Sequence, residues 1–208
     1  MELDLKKFIT SILLVGIFMS FDLWTKYEIT HSSALHGKMF GIEKKLFIKK
    51  PVINYGGAGI FSSNHPSTLY RLWHFFLVLV AAYCFISLVL VNYSNVNKIL
   101  ASIAVGGVWG NVFELMVYGG ATDFLQVQGF GFIDDYIFNI ADVFIVVGTP
   151  LYFITSSLDG HLKLFSLVLF GVILAVSFGV IPAEPSVFIA VGFLLVLMWW
   201  PVKETSER

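Results

Sequence analysis

Ile99–Tyr118 reads ILASIAVGGVWGNVFELMVY. It is followed by GGATDF at residues 119–124 and by IFNIADVFIVVGTPLYFIT at residues 137–155. Both long runs are close to the ~20 apolar residues that cross a bilayer as a helix. An aspartate stands beside each: Asp123 just after the first run and Asp142 early in the second. A carboxylate near hydrocarbon costs roughly 2.5–3.5 kcal/mol on insertion scales, so an acid in such a place is a candidate functional group. Two acids close together can share one proton, and a pair of that kind can activate water for peptide cleavage.

Working outward, the rest of the chain has the same character. Of 208 residues, 57% are hydrophobic and only 13% charged, too few to cover the surface of a water-soluble domain of this length. A net charge of −1 argues against nucleic acid, which requires a basic footprint. The single cysteine, Cys84, leaves no intramolecular disulfide. Lys6 and Lys7 precede the apolar stretch Phe8–Met19 as in a signal peptide. No small-residue cleavage site follows, so this stretch reads as a retained first helix.

Candidate spans fall at Phe8–Trp24, Leu72–Val91, Ile99–Tyr118, Ile137–Thr155, Leu164–Ile181 and Ser186–Pro201. The expected fold is therefore an all-α polytopic membrane protein of about six transmembrane helices. Its long polar connection, residues 27–70, contains short apolar pieces at Leu46-Phe47-Ile48 and Val52-Ile53-Asn54 and reads as a small β-rich unit at the bilayer surface. The connection Gly119–Tyr136 holds Asp123 and reads as a surface excursion. Gly106-x-x-x-Gly110 reads as a close helix-packing stripe. Glu114 reads as an interfacial acid with a local partner. Basic residues divide almost evenly between the two sides, so charge alone does not orient the chain.

Counting spans brings the unusual polar groups together. The first helix ends at Asp22-Leu23-Trp24-Thr25-Lys26, on the side where the third ends near Asp123 and the fourth begins near Asp142, and Asn54 lies in the loop on that side. Asp123 and Asp142 are nineteen residues apart, on segments that run out and back. A water between them would lose a proton to one acid while the other donates to the substrate.

These residues form motifs. Asp22-Leu23-Trp24-Thr25-Lys26 resembles the D-x-x-T-K motif of bacterial lipoprotein signal peptidases, the signal peptidase II family. Asn54-Tyr55-Gly56-Gly57-Ala58 resembles its N-x-G-A-A motif, and Gly106-Gly107-Val108-Trp109-Gly110-Asn111 its G-G-x-x-G-N motif. Ala121-Thr122-Asp123-Phe124 resembles V-x-D-F, and Phe138-Asn139-Ile140-Ala141-Asp142 matches F-N-x-A-D at every fixed position. The resemblance implies an aspartic endopeptidase of the bacterial inner membrane that cuts prolipoproteins before their lipid-modified cysteine. It implies Asp123 and Asp142 as the catalytic acids. Asn54, Gly56, Asn111, Asn139, Asp22 and Lys26 would bind substrate or support the site. No metal or cofactor is implied. The expected partners are a diacylglyceryl-modified prolipoprotein and membrane lipid, with the chain a monomer and its site at the extracytoplasmic face.

Three departures stand out. The family's G-N-x-x-D-R continues here as Gly110-Asn111-Val112-Phe113-Glu114-Leu115, which lengthens the acid and deletes an arginine. Gly59 replaces the aromatic that follows N-x-G-A-A. Residues 158–208 add two apolar runs beyond a four-helix core at residues 1–157. The alternatives are a paralogue with a different substrate, and a non-catalytic binder of lipoprotein precursors or of the enzyme's inhibitors.

Overall fold

A computed structural model describes residues 5–40, 45–55, 94–129 and 136–156, with the helical positions Leu79, Ala82 and Ile86. Most of the expected span Leu72–Val91, both later spans, the 158–208 extension and Gly56 lie outside the described residues. Helix α1 spans Leu5–His31, α2 spans Asn95–Tyr118 and α3 spans Ile140–Thr155. Strands β1 (Met39–Phe40), β2 (Leu46–Asn54), β3 (Ala121–Val127) and β4 (Ile137–Phe138) form one antiparallel sheet in chain order.

Among the described residues, two stretches are long and apolar enough to cross a membrane, Phe8–His31 and Asn95–Tyr118, and α3 is a shorter apolar helix. On α1 the usual polarity is inverted. Ser11, Asp22 and Lys26 are buried, while Ile9, Ile12, Leu13, Ile17, Phe21 and Trp24 are exposed. In water this arrangement would be costly on both faces. In lipid it is the low-energy one, because hydrocarbon solvates the apolar face and the protein interior must satisfy the polar one.

The helices extend past the boundaries read from hydropathy. α1 does not stop at Trp24 but runs to His31, so Tyr27–His31 is helical rather than part of the surface unit. Within this stretch Thr25 and Thr30 donate their hydroxyls to the carbonyls of Asp22 and Lys26, each at 2.7 Å, which satisfies them in the apolar surroundings. α2 starts at Asn95 rather than Ile99, because the Ser94 hydroxyl caps it by accepting the Asn97 N–H at 3.3 Å. α3 starts at Ile140 because Ile137–Phe138 is a strand and Asn139 is the cap.

Glycines bring α2 against both other helices. A Cβ on Gly106 would lie 2.6 Å from the Phe18 Cβ of α1, and one on Gly110 would fall on the Asp22 carboxylate. On the α3 side, a Cβ on Gly107 would lie 2.9 Å from the Phe144 Cβ. The Gly106–Gly110 stripe is thus a packing surface, as its spacing predicts. Phe18 and Phe144 meet edge to face at 5.4 Å, joining α1 to α3.

The sheet is built from two separate connections. β2 comes from the long loop, as expected, but its main partner β3 comes from the excursion after α2, which the sequence reading left without a strand. β3 is buried along nearly its whole length, so it lacks the alternation that marks a half-exposed strand. Register slips between Ile48 and Val52. Pro51 falls in that stretch, where its missing N–H costs no ladder bond. Ile29 of α1 packs with Phe124 and Leu125, flanked by Leu35, Leu46, Ile48, Phe138 and Ile140. This small core fixes β3 over the end of α1, with Val52 opposite Asp123 and Asn54 opposite Ala121.

Candidate active site

The N-terminus of α3 organises the site. Asn139 and Asp142 form a reciprocal cap: the Asn139 Oδ1 accepts the Asp142 N–H, and the Asp142 Oδ2 accepts the Asn139 N–H, both at 3.0 Å. The cap leaves the Asn139 amide nitrogen facing away from its own helix. It donates to Asp123 Oδ1 at 2.6 Å and to Asn111 Oδ1 at 2.9 Å. One asparagine therefore touches both aspartates. Asn54, arriving on β2, donates to the other Asp123 oxygen at 2.9 Å.

Lys26 sets the orientation of the remaining amide. Its ammonium has three N–H donors and no acceptor, and three oxygens surround it: Asp22 Oδ2 at 2.7 Å, Asn111 Oδ1 at 2.8 Å and Glu114 Oε2 at 3.0 Å. An ammonium can only face an oxygen, so the Asn111 carbonyl turns toward Lys26 and its NH2 turns toward Asp142. That NH2 donates to Asp142 Oδ1 at 2.9 Å. Asp22 completes the frame by accepting the Ala141 N–H at 2.8 Å, which joins α1 to the first turn of α3.

Asp22, Lys26, Asn54, Asn111, Asn139, Asp123 and Asp142 thus form one connected cluster contributed by α1, β2, α2, β3 and α3. Glu114 and Thr122 join this cluster without having been anticipated. Glu114 is buried rather than interfacial, and it accepts both the backbone N–H of Thr122 at 2.8 Å and its hydroxyl at 2.9 Å. The available signal was spacing: Asn111 and Glu114 are i, i+3 on one helix face, and Asp22 and Lys26 are i, i+4. Leu115, where the motif has arginine, is buried and brings no cation.

Electrostatics set the two acids in a particular relation. Burial pushes the Asp123 carboxyl up to about 8, and the negative charge of Asp142 adds to this. The hydrogen bonds from Asn54 and Asn139 and the field of Lys26 oppose it without cancelling it. At neutral pH Asp123 holds a proton that it can donate. Asp142 accepts only N–H groups at both oxygens, in the first turn of a helix where backbone dipoles favour negative charge. Among the described residues, no three acids, histidines or cysteines converge as metal ligands.

Comparison with known proteins finds relatives over most of the chain. The Signal peptidase (SPase) II family matches residues 14–158. The chain is 28% identical over 149 residues to the lipoprotein signal peptidase of Pelagibacter ubique, covering 71% of this chain and 87% of that one. It is 28% identical over 163 residues to that of Borrelia hermsii, covering 74% and 93%. It is 31% identical over 135 residues to that of Neisseria gonorrhoeae, covering 62% and 78%. The fold is similar to a bacterial membrane enzyme structure solved by the in meso method at 1.9 Å resolution. The TM-score is 0.52 at 27% identity, over 73% of this chain and 94% of that one. The matched residues make up most of the chain and hold every member of the cluster, and the chain belongs to the signal peptidase II family.

Proposed function

We propose that this chain is an intramembrane aspartic endopeptidase that removes signal peptides from prolipoproteins, with Asp123 and Asp142 as its catalytic acids. The observation that carries the reading is the double contact of Asn139, which caps the half-buried Asp142 and donates to the buried Asp123, so that the two acids are held as one unit. The names of its relatives supply the substrate class, a lipoprotein precursor.

In this reading Asp142 is ionised and Asp123 protonated. Asp142 takes a proton from water as the water oxygen bonds to the scissile carbonyl carbon. Asp123 gives its proton to the carbonyl oxygen, which produces a neutral gem-diol. The proton on Asp142 then passes to the amide nitrogen, the C–N bond breaks, and Asp123 takes a proton back from a diol hydroxyl. Both acids return to their starting states. Asn54, Asn111 and Asn139 hold the carboxyls in place, Lys26 holds Asn111, and Asp22 holds Lys26 and the first turn of α3. Gly56, two residues after Asn54 in the sequence, has no side chain, which suits close approach of substrate backbone.

The rest of the proposal concerns setting. The chain crosses the bacterial inner membrane six times as a monomer, with the site at the extracytoplasmic face. A diacylglyceryl-modified precursor enters from lipid and is cut before its modified cysteine. The last two spans, in residues 158–208, lie beyond the stretch matched by the family and mark a divergent branch. Leu115 at the family's arginine position favours a second reading, in which both acids are kept but the preferred precursor differs.

The test is cleavage of a diacylglyceryl-modified prolipoprotein by the purified, reconstituted chain. Wild type should cut before the modified cysteine, and Asp123→Asn and Asp142→Asn should both be inactive. A folded wild type that cuts no precursor, or an active Asp123→Asn, sinks the proposal.

A further inference from the structure

Glu114 has no part in the proposed chemical steps, yet it is buried with a full set of partners. It is 5% exposed and contacts Lys26 of α1 and both polar groups of Thr122, the residue immediately before Asp123. The backbone contact has a structural cause. β3 is flanked by β2 on one side and β4 on the other, but β4 pairs only with Leu125 and Gln126. Opposite Thr122 no β4 residue is in register, and a buried N–H there needs another acceptor. The Glu114 carboxylate supplies it, with its second oxygen taking the Thr122 hydroxyl.

The other contact concerns charge. Lys26 is the cation at the centre of this cluster, and Asp22 and Glu114 each take one of its three donors. The third donor goes to the neutral Asn111. Of the charged groups, Lys26 of α1 contacts Glu114 directly and Asp22 of α1 shares that ammonium, while Asp123 follows Thr122 on β3 and Asp142 is reached through Asn111. Two anions on one ammonium reduce, without removing, the field of Lys26 that opposes the upward shift of Asp123.

We propose that Glu114 is a positioning residue for the aspartate pair, fixing Asp123 through Thr122 and sharing the charge of Lys26 with Asp22. The inference deepens the proposed function and rests on it. A single face of α2 then serves both acids, with Asn111 holding Asp142 and Glu114, one turn on, holding the strand that carries Asp123.

Two variants separate the two tasks. Glu114→Gln keeps the shape and one acceptor for Thr122 but removes the charge. The freed field of Lys26 should favour ionised Asp123 and move the alkaline limb of the kcat/KM profile to lower pH by about one unit. Glu114→Ala removes the anchor as well and should lower kcat about tenfold with KM within twofold, as expected for a misplaced catalytic group. Glu114→Asp should restore the pH limb, because it restores the charge. If Glu114→Ala does not fold, Thr122→Val takes its place: a threefold or larger loss of kcat supports the anchor, and an unchanged kcat overturns it.

A second readout does not depend on substrate. The protonated-carboxyl infrared band that disappears in Asp123→Asn should titrate at lower pH in Glu114→Gln than in wild type. A wild type that cuts no precursor defeats the proposed function, whereas an infrared titration left in place by Glu114→Gln defeats the positioning role. An unmoved pH limb together with unchanged kcat in the folded variants also overturns it.

Discussion

Replacing Asp123 with asparagine should abolish cleavage, and it should also change stability in a way that reverses sign with pH. The Asp123 carboxyl is raised from 3.8 to about 8 in the folded protein, first by burial and then by Asp142. A carboxyl raised on folding favours the folded state below its unfolded value and costs stability as pH rises toward its folded value. Each unit is worth about 1.36 kcal/mol, so wild type should lose up to roughly 5 kcal/mol between pH 4 and pH 8 through this group. At 4% exposure, Asp123 has little solvent screening to reduce that figure. Asp123→Asn has no such loss, but it meets two donors, Asn54 and Asn139, with only one carbonyl oxygen. One donor then faces an NH2 group, at a cost of roughly 1–3 kcal/mol. The variant should therefore be the less stable protein near pH 4 and the more stable one near pH 8. Unfolding of both proteins in matched lipid or detergent, followed across pH 4–9, measures the difference. A difference that stays flat across that window would mean that Asp123 holds no proton in the folded protein and cannot be the acid.

The same carboxyl predicts that kcat/KM falls above about pH 8 as Asp123 ionises, measured as a pH–rate profile with saturating and limiting precursor. Asn139→Ala should lose the helix cap, about 1–2 kcal/mol, and reduce cleavage by about 10–100-fold because Asp123 loses a donor and the Asp142 N–H loses its acceptor; thermal unfolding and turnover check each part separately. Gly110→Ala places a Cβ on the Asp22 carboxylate and should destabilise the protein by roughly 1–3 kcal/mol, with the cleavage rate falling as Asp22 is displaced from Ala141.

The helices and the site were legible in the sequence for different reasons. Hydropathy located the interiors of α1, α2 and α3 but missed their ends. The starts of α2 and α3 are set by local hydrogen bonding at Ser94 and Asn139, to which a hydropathy window is blind. The motifs located Asp22, Lys26, Asn54, Asn111, Asn139, Asp123 and Asp142, and the structure brings all seven together. β3 was missed because a strand buried on both faces has no alternation, and Thr122, Asp123 and Gln126 give it the polarity of a loop. Glu114 was misjudged because a charge near the end of an apolar helix reads as interfacial. Its burial depends on Lys26, distant in sequence, and on a strand that was not foreseen.

The dispersed origin of the cluster also bears on biogenesis. Lys26 and Asp22 leave the ribosome early, one turn apart on α1, and can neutralise each other while that helix enters the membrane alone. Asn111, Asp123 and Asp142 follow much later, and the Asp22–Ala141 contact spans 119 positions of chain. Such long-range closure forms last during folding. On the proposed reading, a partly inserted chain would hold the Asp22–Lys26 pair without the aspartate pair, so the nascent protein could not cut its neighbours in the membrane before α3 had docked.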